Sequence, residues 1–280
     1  MQYALVLQAD RLEPGALAEV AHILDAPAPT LNVPGLARFE NADPAQRDRV
    51  ATFCEARNWD AAFVPATTRW EDLGLLVSDM DSTLITIECI DEIAAMQGLK
   101  AQVAAITERS MRGEIDFTAS LKARVALLEG LEESALDTVY RERLQLTPGA
   151  ETLLAHCRAH GVKFMLVSGG FTFFTERLKA ELGLDYAFAN ELEVANGRLT
   201  GRVTGEIVDA RAKRTLLMQV RETLGLAAAQ VIAMGDGAND LEMLAEAGVG
   251  IAFHAKPVVC RQADVAIRHG GLDRVIGLFA

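Results

Sequence analysis

Two aspartates spaced two apart, Asp79 and Asp81, close an apolar run of Leu75, Leu76 and Val77 and are followed by Ser82 and Thr83. So short and apolar a run predicts a strand buried on both faces, as in the parallel sheet of an α/β protein. Carboxylates at the end of such a strand are costly unless a cation or a proton answers them. The carboxyl edge of an open α/β sheet is also where ligands bind. A lone DxD serves equally as an Asp-rich turn capping a helix, but two further segments share the grammar. VKFMLVSGGF (162–171) is an apolar run ending in Ser168, Gly169 and Gly170, and VIAMGDGAND (231–240) ends in Asp236, Asn239 and Asp240. Between them Lys213 stands in DARAKRTLL, a stretch that reads as the first turns of a helix. Acid, then hydroxyl with glycines, then acid again, with a lysine, predicts one polar site on one edge of one sheet.

In that order, DxDST, SGG, a spaced lysine and GDGAND resemble the four motifs of the haloacid dehalogenase (HAD) superfamily of phosphatases. DMDSTLITIECIDEIA further resembles the opening of the superfamily's phosphoserine phosphatase branch, and the likeness runs from about Gly74 to the C-terminus. The implied fold is a HAD-like Rossmannoid α/β core, a parallel sheet with an inserted helical cap. The implied activity is Mg2+-dependent hydrolysis of O-phospho-L-serine to L-serine and phosphate, a step of serine biosynthesis. Under that resemblance Asp79 is the nucleophile. An aspartate of ordinary pKa, about 3.9, is ionised at neutral pH and attacks phosphorus without a separate base, giving an aspartyl phosphate. Asp81 is then the general acid and base, which requires neighbouring carboxylates held in different protonation states. Magnesium, a hard ion preferring octahedral oxygen ligands, takes Asp79, Asp236 and the Asp81 backbone carbonyl. Asp240 stands behind, holding metal-bound water or pairing with Lys213. Ser168, the amides of Gly169 and Gly170, and Asn239 face the phosphate, with Lys213 as a point charge. A substrate bearing both ammonium and carboxylate wants an acid and a bidentate arginine. The resemblance gives these roles to Glu88 and Arg124, with Met111 and Phe117 as apolar lid contacts.

Composition sets the frame. The 280 residues suit about two domains, and with half of them hydrophobic a sizeable core is available. The 27 basic against 39 acidic residues leave a formal charge of −12. That excess argues against a nucleic-acid partner and gives an anionic substrate no help from the overall field, so local cations must attract it. Cys54, Cys89, Cys157 and Cys260 are scattered and read as reduced thiols. MQYALVLQADRLEPG has no leader pattern, and no apolar run approaches the roughly 18 residues of a membrane helix. A soluble, cytoplasmic protein is expected.

Around the site the chain divides into three. Residues 1–70 predict a small α/β (ACT-like) accessory domain in β-α-β-α-β order, with strands at YALVLQA, ARFEN and DAAFVPA. It carries no ligand motif and reads as a structural or dimerising appendage, with a homodimer among the expectations. ATTRWEDLG is the expected linker to a phosphatase core over 71–280. Within that core, residues 87–147 place apolar residues at helical spacing throughout, a helical cap rooted at the active edge and able to act as a lid. Later segments alternate strand and helix, and Asn196-Gly197 in ELEVANGRLTGRV marks a hairpin. Two rival functions stay open here. One is a related phosphatase or phosphotransferase acting on another small phosphomonoester or passing the phosphoryl group to a hydroxyl such as homoserine's. The other is an amino-acid-sensing protein whose catalytic core is silent.

Overall fold

The computed structural model describes residues 2–279, with side chains other than those of residues 30, 31, 32 and 111. The expected lid contact of the Met111 side chain therefore lies outside the described residues.

The chain begins as β1 (Tyr3–Gln8), α1 (Pro14–Leu24), β2 (Thr30–Val33), β3 (Leu36–Phe39), α2 (Arg47–Glu55) and β4 (Asp60–Pro65). The strands lie in the order β2-β3-β1-β4 with every neighbour antiparallel, a split βαβ arrangement. The three-strand expectation missed β2, a four-residue strand between Pro29 and Pro34 and too short to show alternation. Period-two alternation splits β1 and β4 between two cores. Leu5, Leu7 and Phe63 face the two helices, where Leu17, Val20, Val50 and Cys54 cover them. Ala4, Val6, Ala62 and Val64 face the other way and pack with Trp70, Leu278 and Phe279. Residues 66–74 are consequently no free linker. Trp70 is 3% exposed, and its indole N–H donates to the Ile276 carbonyl at 3.0 Å. Asp60 fastens the same seam, its carboxylate accepting the backbone N–H of Arg268 at 2.8 Å and of His269 at 3.0 Å.

The larger sheet holds β5 (Leu75–Ser78), β6 (Lys163–Phe171), β7 (Tyr186–Ala195), β8 (Arg198–Thr204), β9 (Val231–Gly235), β10 (Val249–Phe253) and β11 (Val265–Ile267). Their order is β11-β10-β9-β5-β6-β7-β8, parallel except for the hairpin strand β8. Every residue of β5 and β9 is buried, as their unbroken apolar sequences require. β5 lies between β6 and β9, and the strand order runs outward from it in opposite directions, so its carboxyl end opens onto a switch-point crevice. Around the sheet lie α7 (Ala150–Ala159), α8 (Thr172–Leu182), α9 (Ala210–Thr223), α10 (Leu241–Glu246) and α11 (Pro257–Gln262).

Between β5 and α7 the chain makes α3 (Cys89–Ala95), α4 (Lys100–Met111), α5 (Phe117–Ala126) and α6 (Ser134–Glu142). Its outgoing and returning segments are zipped together. The Thr86 N–H donates to Gln145 O at 2.9 Å and the Thr147 N–H to Leu84 O at 3.0 Å. The far end is held as well. Gly130 N–H donates to Leu199 O, and Leu199 N–H to Leu131 O, each at 2.8 Å. The helical segment is therefore pinned to the β7–β8 hairpin at its tip, a constraint that helical periodicity alone did not reveal.

Candidate active site

Asp79 caps β5 where the backbone leaves the sheet. Its N–H still pairs with Met234 O of β9 at 3.0 Å, so its position is set by the central strands. A wide turn over Met80–Leu84 follows, with Ser82 in the left-handed region at φ 56°. Asp79 Oδ1 accepts the Met80 N–H at 2.7 Å and stands 2.8 Å from Lys213 Nζ. Lys213 owes its place to the start of α9, whose N-cap Asp209 accepts the Ala212 N–H at 2.9 Å. Its ammonium is fully buried and also donates to Asp240 Oδ1 at 2.7 Å. The other Asp240 oxygen accepts the Gly237 N–H at 2.9 Å, so both of its oxygens have protein partners. Gly235 admits this close approach, since a Cβ there would stand 2.7 Å from Asp240 Cβ.

Asp79, Asp236 and Asp240 each bring a carboxylate oxygen to within 4.8 Å of the others, and Lys213 pairs directly with two of them, Asp79 and Asp240. The consequence is electrostatic. Burial, then Asp240, pushes the Asp79 carboxyl well above its ordinary range, against the pull of Lys213. Asp236 rises to about 7, through burial, then Asp240 and Glu88. Asp81 also rises to about 7, through burial and then Glu88, although the Cys89 N–H 3.4 Å away favours its charged form. Burial works against the Lys213 ammonium, but Asp240 and Asp79 more than offset it and hold its pKa above the ordinary value. An oxygen-rich pocket with more acid than cation fits a hard divalent ion.

This imbalance has a testable sign. Asp236 is a carboxyl whose folded pKa is about 7 against an ordinary 3.8. A raised carboxyl binds its proton more tightly folded than unfolded, so its contribution is full at low pH and is lost as pH climbs through that window. The metal-free protein should therefore melt at lower temperature at pH 8 than at pH 5. Asp236→Asn should narrow the gap, and an added divalent cation should restore wild-type stability at pH 8 but not the variant's. Melting curves on chelator-treated protein measure this, and an equal gap in both proteins would remove Asp236 from the acid cluster.

Asp79, Asp81 and Asp236 line a cavity of about 430 Å³ shared with Glu88, Phe117, Arg124, Ser168, Gly169, Gly170 and Asn239. Glu88 is exposed on the cavity side and accepts the Ser82 hydroxyl at 2.7 Å. Arg124 is half-buried on α5. Burial lowers its pKa, and Asp91, Glu88 and Asp81 counter that. The Phe117 ring lies over Gly169, where a Cβ would come 2.8 Å from its Cζ. One expectation needs correction. The Gly170 amide is not available to a phosphate, because it donates to Ser168 Oγ at 2.8 Å. Nor does β6 stop at Ser168. It runs through both glycines to Phe171, with its register against β7 shifting after Val167.

Sequence reasoning overlooked Asn190, which is 1% exposed. Its Nδ2 donates to Gly169 O at 2.8 Å, and its Oδ1 accepts the Val208 N–H at 2.8 Å. It thus ties the glycine segment to the approach of α9. The signal was a lone amide closing the run YAFAN. Asp91, which supports the Arg124 charge, and Lys256, on the cavity wall, were also missed.

Comparison with known proteins agrees with this geometry. A family model for haloacid dehalogenase-like hydrolases matches residues 76–245. A protein of Polaromonas sp. named phosphoserine phosphatase is 55% identical over 212 residues, 74% of this chain and 90% of its own length. One of the same name from Albidiferax ferrireducens is 53% identical over 75% of this chain and 91% of its own. The crystal structure of a HAD family hydrolase from Salmonella enterica serovar Typhi superposes with TM-score 0.91 at 32% identity, covering 99% of this chain and 98% of that one. That of a probable phosphoserine phosphatase from Vibrio cholerae gives 0.83 at 37%, covering 98% and 85%. The chain belongs to the haloacid dehalogenase-like hydrolase family. Its α/β core, with a mostly parallel central sheet, is the HAD-like fold, and the protein is a phosphoric monoester hydrolase.

Proposed function

We propose that the protein hydrolyses O-phospho-L-serine to L-serine and phosphate, with Mg2+ as its metal. The observation that carries this reading is a single cavity lined by two chemically distinct sets of side chains, Asp79, Asp236 and Ser168 on one hand and Glu88 and Arg124 on the other. The first set suits a phosphoryl group, and the second suits the ammonium and carboxylate of a small amino acid. Relatives bearing the name phosphoserine phosphatase at about half identity support the same substrate.

Asp79 Oδ1 is held by Met80 N–H and Lys213, which leaves its second oxygen to attack phosphorus and form an aspartyl phosphate. Asp81, near pKa 7, is part protonated at neutral pH. It gives its proton to the departing seryl oxygen, then takes one from the water that cleaves the aspartyl phosphate. Lys213 and Ser168 stabilise the transferring oxygens, with Gly169 N–H and Asn239 beside them. Asp240 keeps Lys213 in place. Asp79, Asp236 and the Asp81 carbonyl would hold magnesium, which neutralises phosphate charge. Phe117, with Met111 as its expected companion, closes the apolar side of the lid. Residues 87–147 serve as the cap of a core spanning 71–280, and residues 1–70 as an accessory domain. Free thiols at Cys54, Cys89, Cys157 and Cys260 suit a reducing cytoplasmic setting. Among the described residues no helix is long and apolar enough to cross a membrane.

The test sets phosphoserine against p-nitrophenyl phosphate. Arg124→Ala should lower kcat/KM for phosphoserine about 100-fold, the cost of a charge-assisted pair. It should change the generic ester by less than about threefold. Equal losses on both would remove the carboxylate role, and no phosphate release from phosphoserine by the Mg2+-loaded wild type would remove the substrate.

A further inference from the structure

The cavity wall carries four carboxylates, Asp79, Asp81, Glu88 and Asp236, and two cations, Arg124 and Lys256. Arg124 is half-buried and lies within the influence of the Asp91 and Glu88 charges. Lys213 lies behind the wall, fully buried between two carboxylates. Of these three cations only Lys256 is exposed, and among the described residues it, like Arg124, makes no ion pair within 4.0 Å. Yet the backbone that presents it is tied down. Its N–H reaches the Asp236 carbonyl at 3.4 Å. The preceding turn is fixed by His254, in the left-handed region at φ 45°, whose N–H donates to Ile267 O at 2.8 Å. His254 Nε2 bonds Gly270 O at 2.9 Å, and its ring stacks on Phe253 with centroids 4.2 Å apart. Pro257 then holds Lys256 extended, at ψ 150°.

A flexible ammonium on a fixed rim beside the metal-binding acids has one evident use. We infer that Lys256 recruits the phosphate dianion of the substrate into the cavity and is a specificity-determining residue for phosphate esters. The inference rests on the phosphatase reading but not on serine as the alcohol. The need is plain in a protein of net charge −12, whose field opposes a dianion. Lys256 already bears on the neighbouring acid, drawing the Asp236 pKa downward against burial, Asp240 and Glu88. Lys213, fully buried and paired with Asp79 and Asp240, acts on a phosphoryl group only once it is seated at Asp79 and does not draw it in from the cavity mouth.

The probe is inorganic phosphate binding to the full-length, Mg2+-loaded protein by calorimetry, beside kinetics on p-nitrophenyl phosphate. Lys256→Ala should weaken phosphate binding and raise KM about tenfold with kcat within about twofold, as expected of a residue that steers and holds rather than reacts. Between about 0.01 M and about 1 M salt the screening length falls from about 30 Å to about 3 Å, and the variant's kcat/KM should fall less steeply than the wild type's. Lys256→Arg should restore both. Unchanged phosphate affinity in Lys256→Ala, or a loss confined to kcat, would overturn the assignment. A wild type that binds phosphate and cleaves p-nitrophenyl phosphate but ignores phosphoserine would sink the substrate proposal and leave this one standing.

Discussion

Asp79→Asn should abolish phosphate release, lowering kcat by at least about 10⁴-fold, because a neutral amide can neither attack phosphorus nor replace a charged metal ligand. The fold should survive. Asn is nearly isosteric, and its amide oxygen can still accept from Met80 N–H and Lys213, now 2.7 and 2.8 Å from Oδ1. Stability at neutral pH should hold or rise slightly. Burial and Asp240 make the ionised Asp79 expensive to keep in the folded state, and the amide removes that cost. The variant should also take up no radiolabelled phosphoryl group from substrate. Residual turnover above about one hundredth of wild type, with metal present, would transfer the nucleophile's role to another residue.

Lys213→Met should damage both activity and fold, and a second substitution separates the two effects. The ammonium is fully buried with two carboxylates at 2.8 and 2.7 Å. Removing it leaves like charges facing each other without compensation, a loss of about 3–5 kcal/mol. In a chain of this size that lowers Tm by roughly 6–20 °C. Adding Asp240→Asn should recover much of the stability by deleting the unmatched acid, while catalysis stays lost because no point charge faces the phosphoryl oxygens. Thermal melts and phosphate-release assays on the single and double variants give the two readouts. Recovery of turnover in the double variant would make Lys213 a structural counter-ion only.

What could be read from the sequence was what local chemistry writes locally. Leu75–Val77 and Val231–Met234 are buried runs because both faces of their strands are covered, and the acids that end them sit side by side because β5 and β9 are neighbours. The hairpin at Asn196-Gly197 follows from the left-handed φ of both residues, 53° and 72°. Features decided by tertiary partners stayed hidden. Trp70 looked like part of a linker because nothing nearby in sequence announces the Ile276 carbonyl its indole meets. Gly170 N–H looked free because a strand continuing through two glycines, with Ser168 Oγ folding back onto it, breaks the expected strand-to-helix turn. Asn190 bridges Gly169 and Val208, 21 and 18 residues away. No periodicity encodes such a bridge.

The outer face of the first sheet, Ala4, Val6, Ala62 and Val64, is completed by Leu278 and Phe279. On the ribosome those strands emerge well before Leu278 and Phe279, so the nascent chain carries a partly unshielded greasy strip until that late segment arrives. The same seam joins segments roughly two hundred residues or more apart in the chain, and contacts of such great sequence separation make for slow, late closure. Translation speed and holding by chaperones therefore bear on the yield of this molecule more than its well-patterned sheets would suggest.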